Sequence, residues 1–229
     1  MRVGGSNLDV MVALTPAPDV TAERHRLGSP GLRRVNLALF AAGLTTFISL
    51  YCAQALLPEL SGDLHVSPSK ASLLVSLATG ALALAIIPVS SLSERYGRTR
   101  VMLVSSFASV AVGLLLPLCP TFTALAVVRA AQGAALAGVP AVAMAYLAEE
   151  VHPSSLGGAM GRYVAGTAIG GVLGRVIPGL VTDVAGWRWA FAVTGLVTLG
   201  FTVLFWALLP CLAHPWSTAI KPCRSFRVS

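Results

Sequence analysis

Ser90-Ser91-Leu92-Ser93-Glu94-Arg95-Tyr96-Gly97-Arg98-Thr99-Arg100 is the stretch whose reading decides the fold. It places three arginines and a glutamate between two apolar runs, each long enough to cross a bilayer. A charged connector this short can only be a tight turn at a membrane surface. Gly97 suits the turn because a residue without Cβ takes positive φ freely. Lys and Arg in short loops stay on the cytoplasmic side, so the turn predicts which surface it occupies.

Composition agrees. Of the 229 residues, 11% are charged and 55% hydrophobic, too little polar surface for a water-soluble domain. The chain therefore reads as a polytopic, all-α membrane protein whose first partner is the lipid bilayer. The net charge of +7 does not indicate a nucleic-acid partner, because the basic residues sit at the ends of apolar runs and do not form one soluble face. Cys52, Cys119, Cys211 and Cys223 have no C-x-x-C spacing and read as small apolar filler or free thiols, with no metal site.

Outward from the turn, the apolar runs give six spans: about 35–58, 71–92, 101–118, 124–147, 163–181 and 190–209. The first covers about 36 Å at 1.5 Å per residue, enough to cross a hydrocarbon core of roughly 30 Å with some tilt. Residues 1–32, with Pro16, Pro18 and scattered charges, read as a disordered cytoplasmic arm, and 211–229 as an unstructured cytoplasmic tail. Residues from Glu149 through Arg162 read as a cytoplasmic loop in which His152 is solvated.

Polar residues inside the runs are the candidate functional groups. Arg129 lies within the fourth run, where a cation is expensive unless it faces protein or water or snorkels to the surface. Arg175 lies in the outer half of the fifth. Because the fourth and fifth spans run in opposite directions, both arginines fall in the same outer half of the membrane. Two readings stand: together they form a positive lining for an anionic group, or pair with Glu59 or Asp183 as an outer gate; or they snorkel independently. Tyr51 and Gln54 are the polar positions near the outer end of the first span: either Tyr51 is an interfacial anchor, or both line a cavity. Gly166, Gly170 and Gly174 recur every four residues and so form one ridge for close approach of a neighbouring helix. Trp187 and Trp189 suit an interfacial aromatic belt.

Several of these motifs resemble the major facilitator superfamily. Glu94-Arg95-Tyr96-Gly97-Arg98 is similar to the D-R-x-G-R core of the loop between its helices 2 and 3, with Glu94 in place of Asp and Ser90 in place of Gly. Arg129-Ala130-Ala131-Gln132-Gly133 resembles the R-x-x-Q-G motif of proton-linked facilitators, whose arginine faces the central cavity. Gly161, Gly170, Gly174 and Gly179 resemble the antiporter motif G-x8-G-x3-G-P-x-x-G-G, with Arg175 and Pro178 as departures. Trp187-Arg188-Trp189-Ala190-Phe191 resembles the connector before helix 6 of drug and sugar exporters. The blocks 33–43 and 50–58 look most like the YnfM-type inner-membrane transport proteins, often labelled sugar effluxers.

The resemblance implies the N-terminal six-helix half of a facilitator built from 3+3 inverted repeats. It implies secondary active, proton-linked export of a small molecule such as a sugar or drug, with no cofactor. Ser90, Glu94, Arg95, Gly97 and Arg98 would form an inner gate. Such transporters continue into six further helices, so a truncated or frameshifted half is expected, completed by a second half or by a homodimer. The alternative is a nontransporting remnant or an interaction subunit. An enzyme is not expected: all four histidines lie outside the runs, leaving no imidazole to activate a buried serine, and no G-x-x-x-x-G-K-[ST] cradle is present.

Overall fold

The structure, a computed structural model, describes residues 30–209. Apart from its turns it is helical: α1 Pro30–Asp63, α2 Pro68–Tyr96, α3 Arg98–Gly113, a 3-10 turn Leu116–Leu118, α4 Phe122–Leu136, α5 Gly138–Glu150, α6 Pro153–Ala185 and α7 Trp187–Leu208. Together they provide six helices long and apolar enough to cross a membrane, with α3 plus the 3-10 turn as the third span and α4 plus α5 as the fourth. The turn at Gly97 and the turn at Gly186 define opposite ends of the bundle, here the arginine end and the tryptophan end.

Local chemistry sets the turns. Gly97 has φ +92° and Gly186 has φ +82°, values that residues with a Cβ rarely adopt, so each turn closes in a single residue. Ser67 and Thr121 cap α2 and α4, accepting from the backbone N–H groups of Lys70 and Ala124 at 3.3 Å. Pro68 and Pro153 occupy first helical positions, where a missing N–H has no cost.

The helices outrun the apolar stretches, and this corrects several boundaries. Residues 153–162, expected in a loop, form the first turns of α6. His152 is its cap, its Nδ1 accepting from the Ser154 N–H at 3.3 Å. Pro30 to Leu32, expected in the disordered arm, are helical, while the rest of that arm, Cys211, Cys223 and the tail lie outside the described residues. Pro58 and Pro178 stand inside α1 and α6. The fourth span, expected to be continuous, breaks at Ala137. The cause is Pro140, whose ring cannot follow the carbonyl of residue 136 in an unbroken helix. Ser105 of α3 repairs the break: its Oγ donates to Ala135 O at 2.6 Å and accepts from Gly138 N–H at 3.0 Å.

The first span is the most buried and the second the least. The first packs chiefly on the fifth and sixth, and the fourth on the second and third, as two related repeats of three would pack. Glycine makes the two closest crossings possible. A Cβ built on Gly166, Gly170 or Gly174 would meet Phe40 O at 2.7 Å, Leu44 Cα at 3.0 Å or Ile48 Cα at 2.9 Å. The α6 ridge therefore lies directly on an α1 ridge of the same four-residue period. At the second crossing, between the second and fourth spans, a Cβ on Gly133 of α4 would strike the Ala78 carbonyl of α2. Gly161 faces open space and Gly179 only approaches Ala55 Cβ, at 3.8 Å, so these two members of the motif set are not packing contacts of that kind.

Two apolar clusters hold the ends together. Leu32, Val35, Leu39, Met102, Val142, Leu147 and Phe205 gather at the arginine end, and Leu56, Leu60, Leu74, Leu125, Trp187 and Phe191 at the tryptophan end. Buried hydroxyls lie along the same helices, and most return to their own backbone, as Thr46 does to Ala42 O at 2.9 Å and Thr194 to Ala190 O at 2.7 Å.

Candidate functional site

Arg129 stands on α4 about 10 Å from the start of that helix, at 1.5 Å per residue. It is fully buried, so it does not line an open cavity, as the motif resemblance led one to expect. Its guanidinium instead reaches α1: Nη1 donates to Ser49 O at 2.9 Å and Nη2 to Leu50 O at 2.8 Å, while Nη1 also donates to Gln132 Oε1 at 2.7 Å. Cys52 Sγ lies 3.7 Å from Nη1. Carbonyl dipoles substitute for water here, which is how a buried cation avoids most of its desolvation cost. Among the described residues no carboxylate neutralises it. Gln132 is fixed from its other side, since Gly113 leaves its Nε2 a space that a Cβ would invade at 2.5 Å.

Arg175 of α6 is exposed and differently held. Its Nε donates to Gln54 Oε1 at 2.7 Å and Nη1 to Gly171 O at 3.0 Å, while the guanidinium carbon sits 4.5 Å above the Tyr51 ring. Phe47 adjoins that ring at 5.8 Å between centroids. Tyr51, Gln54 and Arg175, expected as separate possibilities, thus form one cluster on the α1–α6 seam. Gly171 lies against the same ring, with Tyr51 carbons at 3.5 Å, an ordinary van der Waals distance, from where its Cβ would be. Arg129 bonds the carbonyl of Leu50, the neighbour of Tyr51, so the two arginines approach the same turns of α1 from the buried and the open side.

Neither arginine pairs with Glu59 or Asp183. Glu59 Oε1 instead accepts the Trp187 backbone N–H at 3.2 Å, and Asp63 Oδ2 accepts Trp187 Nε1–H at 2.7 Å with Arg188 Nη1 3.7 Å away. The two carboxylates therefore anchor the first turn of α7 to the end of α1. At the arginine end, Arg98 Nη2 pairs with Glu149 Oε1 at 2.6 Å. Glu94 and Arg95 are exposed and pair with no charged side chain among the described residues. Ser90 is half-buried, and its carbonyl accepts the Ser93 hydroxyl at 2.7 Å.

Sequence reasoning missed four partners. Glu149 lies 51 residues from Arg98 and read as a loop acid. The carbonyls of Ser49 and Leu50 carry no side-chain signature. Ser105 looks like any helical serine, although Pro140 was a usable signal that something must repair the fourth span.

A bundle of six membrane-length helices, with Arg129 and Arg175 well inside two of them, defines a polytopic membrane protein. The family model described as Major Facilitator Superfamily matches residues 39–220, and the chain belongs to that superfamily. It is 43% identical over 189 residues to YybF, an uncharacterised MFS-type transporter of Bacillus subtilis, covering 82% of this chain and 47% of that protein. It is 40% identical over 195 residues to the inner membrane transport protein YnfM of Escherichia coli, covering 85% and 47%. The chain thus spans about half the length of these relatives. Among solved structures, a bacterial homologue of the human lysosomal transporter Spinster, inward-facing and unoccupied, superposes with a TM-score of 0.69 at 19% identity, over 79% of this chain and 44% of that one. A peptide transporter crystallised with sulfate gives 0.68 at 16% identity, over 83% and 40%. These likenesses concern the fold.

Proposed function

We propose that this chain forms one half of the pathway of a secondary active transporter that exports a small molecule, driven by protons, across a bacterial inner membrane. The observation that carries the reading is the Tyr51–Gln54–Arg175 cluster. An exposed guanidinium at membrane depth cannot face lipid at tolerable cost, so this face borders water or a second protein half. In facilitators the path lies between two six-helix halves, so the wall facing this one would come from a second half. The arginine end is cytoplasmic on the positive-inside rule, which puts both ends of the six-span bundle inside the cell. There Arg98 is latched to Glu149, and Glu94 and Arg95 remain available to a second half as an inner gate.

The test is reconstitution of the chain in liposomes under an imposed pH gradient, alone and together with the C-terminal six-helix half of YnfM. Solute-dependent proton flux in either preparation supports the reading, with more expected from the paired halves. No flux in both, across a panel of sugars, drugs and organic acids, favours a nontransporting membrane subunit.

A further inference from the structure

We propose that the open cluster on the α1–α6 seam is an anion-selective recognition site, taking solutes that carry a carboxylate on an apolar body. The inference rests on the transporter reading of this face and adds the substrate class.

Its basis is the donor inventory of Arg175. A guanidinium has five N–H groups in a fixed fork. One, on Nε, is committed to Gln54 Oε1 and one, on Nη1, to Gly171 O. Three remain, including both on Nη2, and no described carboxylate takes them. The side chain is not loose, because the two hydrogen bonds fix the edge of the fork and the Tyr51 ring supports its face at 4.5 Å. A positioned, partly unspent arginine fork matches a carboxylate, which accepts two parallel N–H bonds.

The surrounding charge points the same way. Every Asp and Glu of the described residues lies at or near a helix end, whereas Arg129 and Arg175 both lie well inside their spans. Arg129 cannot itself meet a solute, being fully buried, but its charge is uncompensated and sits behind the same turns of α1. A site backed by one cation and fronted by another repels cationic solutes and favours anions. Beside the fork, the Phe47 and Tyr51 rings provide an apolar wall for the body of the solute.

Benzoate, benzamide and benzamidine share one planar shape and carry charges of −1, 0 and +1, so they separate charge from size. The experiment measures equilibrium binding of labelled benzoate to the full chain in nanodiscs of zwitterionic lipid, with the other two as competitors. Benzoate is expected to bind at least about tenfold more tightly than benzamide, with benzamidine failing to compete. Arg175→Gln should bring benzoate down to the benzamide level. Arg175→Lys should keep the anion preference with weaker binding, because an ammonium keeps the charge and loses the fork. If Arg175→Gln does not elute as the folded chain, Gln54→Leu, which frees the Nε edge, is expected to weaken benzoate binding while leaving the charge in place.

Equal binding of the three compounds, a preference for benzamidine, no binding of any, or an anion preference that survives Arg175→Gln overturns the proposal. The two readings fail separately. Flux of neutral solutes indifferent to Arg175 keeps the transporter and removes the anion site, whereas selective benzoate binding without flux in the reconstituted pair does the reverse.

Discussion

Arg129 and Gln132 stand three residues apart on α4 and close on each other, Nη1 to Oε1 at 2.7 Å, against the backbone of α1. The pair joins the two repeats: the fourth span supplies the donors, and the first supplies the carbonyls of Ser49 and Leu50. Removing the guanidinium leaves Gln132 Oε1 without its partner and opens a void at a buried position. Arg129→Leu is therefore expected to destabilise the bundle by about 3 kcal/mol, and Gln132→Leu by roughly half of that, since the α1 carbonyls still hold the arginine. Thermal unfolding in detergent measures both. An Arg129→Leu chain that melts with the wild type would mean that this cross-repeat bond contributes nothing to folding.

The glycine ridge yields a prediction with an internal control. Gly170 and Gly174 lie against Leu44 Cα and Ile48 Cα at 3.0 Å or less from a hypothetical Cβ, and these neighbours are backbone that cannot swing aside. Gly174→Ala should force α1 and α6 apart, costing about 1–3 kcal/mol. Gly161→Ala, on the same helix but facing open space, should be neutral or slightly stabilising, because alanine is the better helix former. Equal effects at the two positions would show that helix propensity, and not the crossing, governs α6.

How far the sequence reveals this architecture depends on the kind of signal each feature leaves. The six crossings and the turn at Gly97 are legible, because apolar run length and a charged punctuation between runs are one-dimensional properties. The glycine period predicts a ridge but not its neighbour, since α1 presents only one glycine, Gly43, toward it and otherwise ordinary apolar residues. The helical extension of α6 through 153–162 is hidden for the opposite reason. Once a helix leaves the apolar core its composition resembles a loop, and only the His152-Pro153 cap betrays it. Arg129 stands out as an anomaly, yet its acceptors are main-chain oxygens that every residue has. Its burial could not be inferred from a motif whose arginine was expected in a cavity.

At the tryptophan end, Glu59 acts as a cap supplied by another helix. Its Oε1 accepts the N–H of Trp187 at the start of α7, where the helix dipole favours negative charge. Glu59→Gln retains an acceptor oxygen and should cost well under 1 kcal/mol, whereas Glu59→Leu loses the cap and should cost about 1–2 kcal/mol. Gly186→Ala should match or exceed the leucine variant, because φ +82° with ψ 167° is a conformation open essentially to glycine alone. Melting temperatures of the three variants, ranked in that order, test the arrangement. A Glu59→Leu chain as stable as Glu59→Gln would remove the carboxylate from any role in starting α7.

The break in the fourth span depends on one hydroxyl. Ser105 Oγ gives its proton to Ala135 O and receives the Gly138 N–H, so it closes a helix that Pro140 prevents from closing itself. Ser105→Ala should leave both backbone groups unpaired in an apolar setting and cost about 1–3 kcal/mol. The loss should be local: amide exchange of Gly138 is expected to accelerate, while that of Val142, one turn beyond the break, changes little. Ser105→Val would be worse, because its second methyl meets the gap that Gly138 leaves for the hydroxyl, where a Cβ on the glycine would already clash with Ser105. Substituting Pro140→Ala in the Ser105→Ala background should recover most of the stability, since the proline is then no longer there to break the ladder. If the double variant is no more stable than Ser105→Ala, the break has a cause other than the proline ring, and Ser105 repairs nothing.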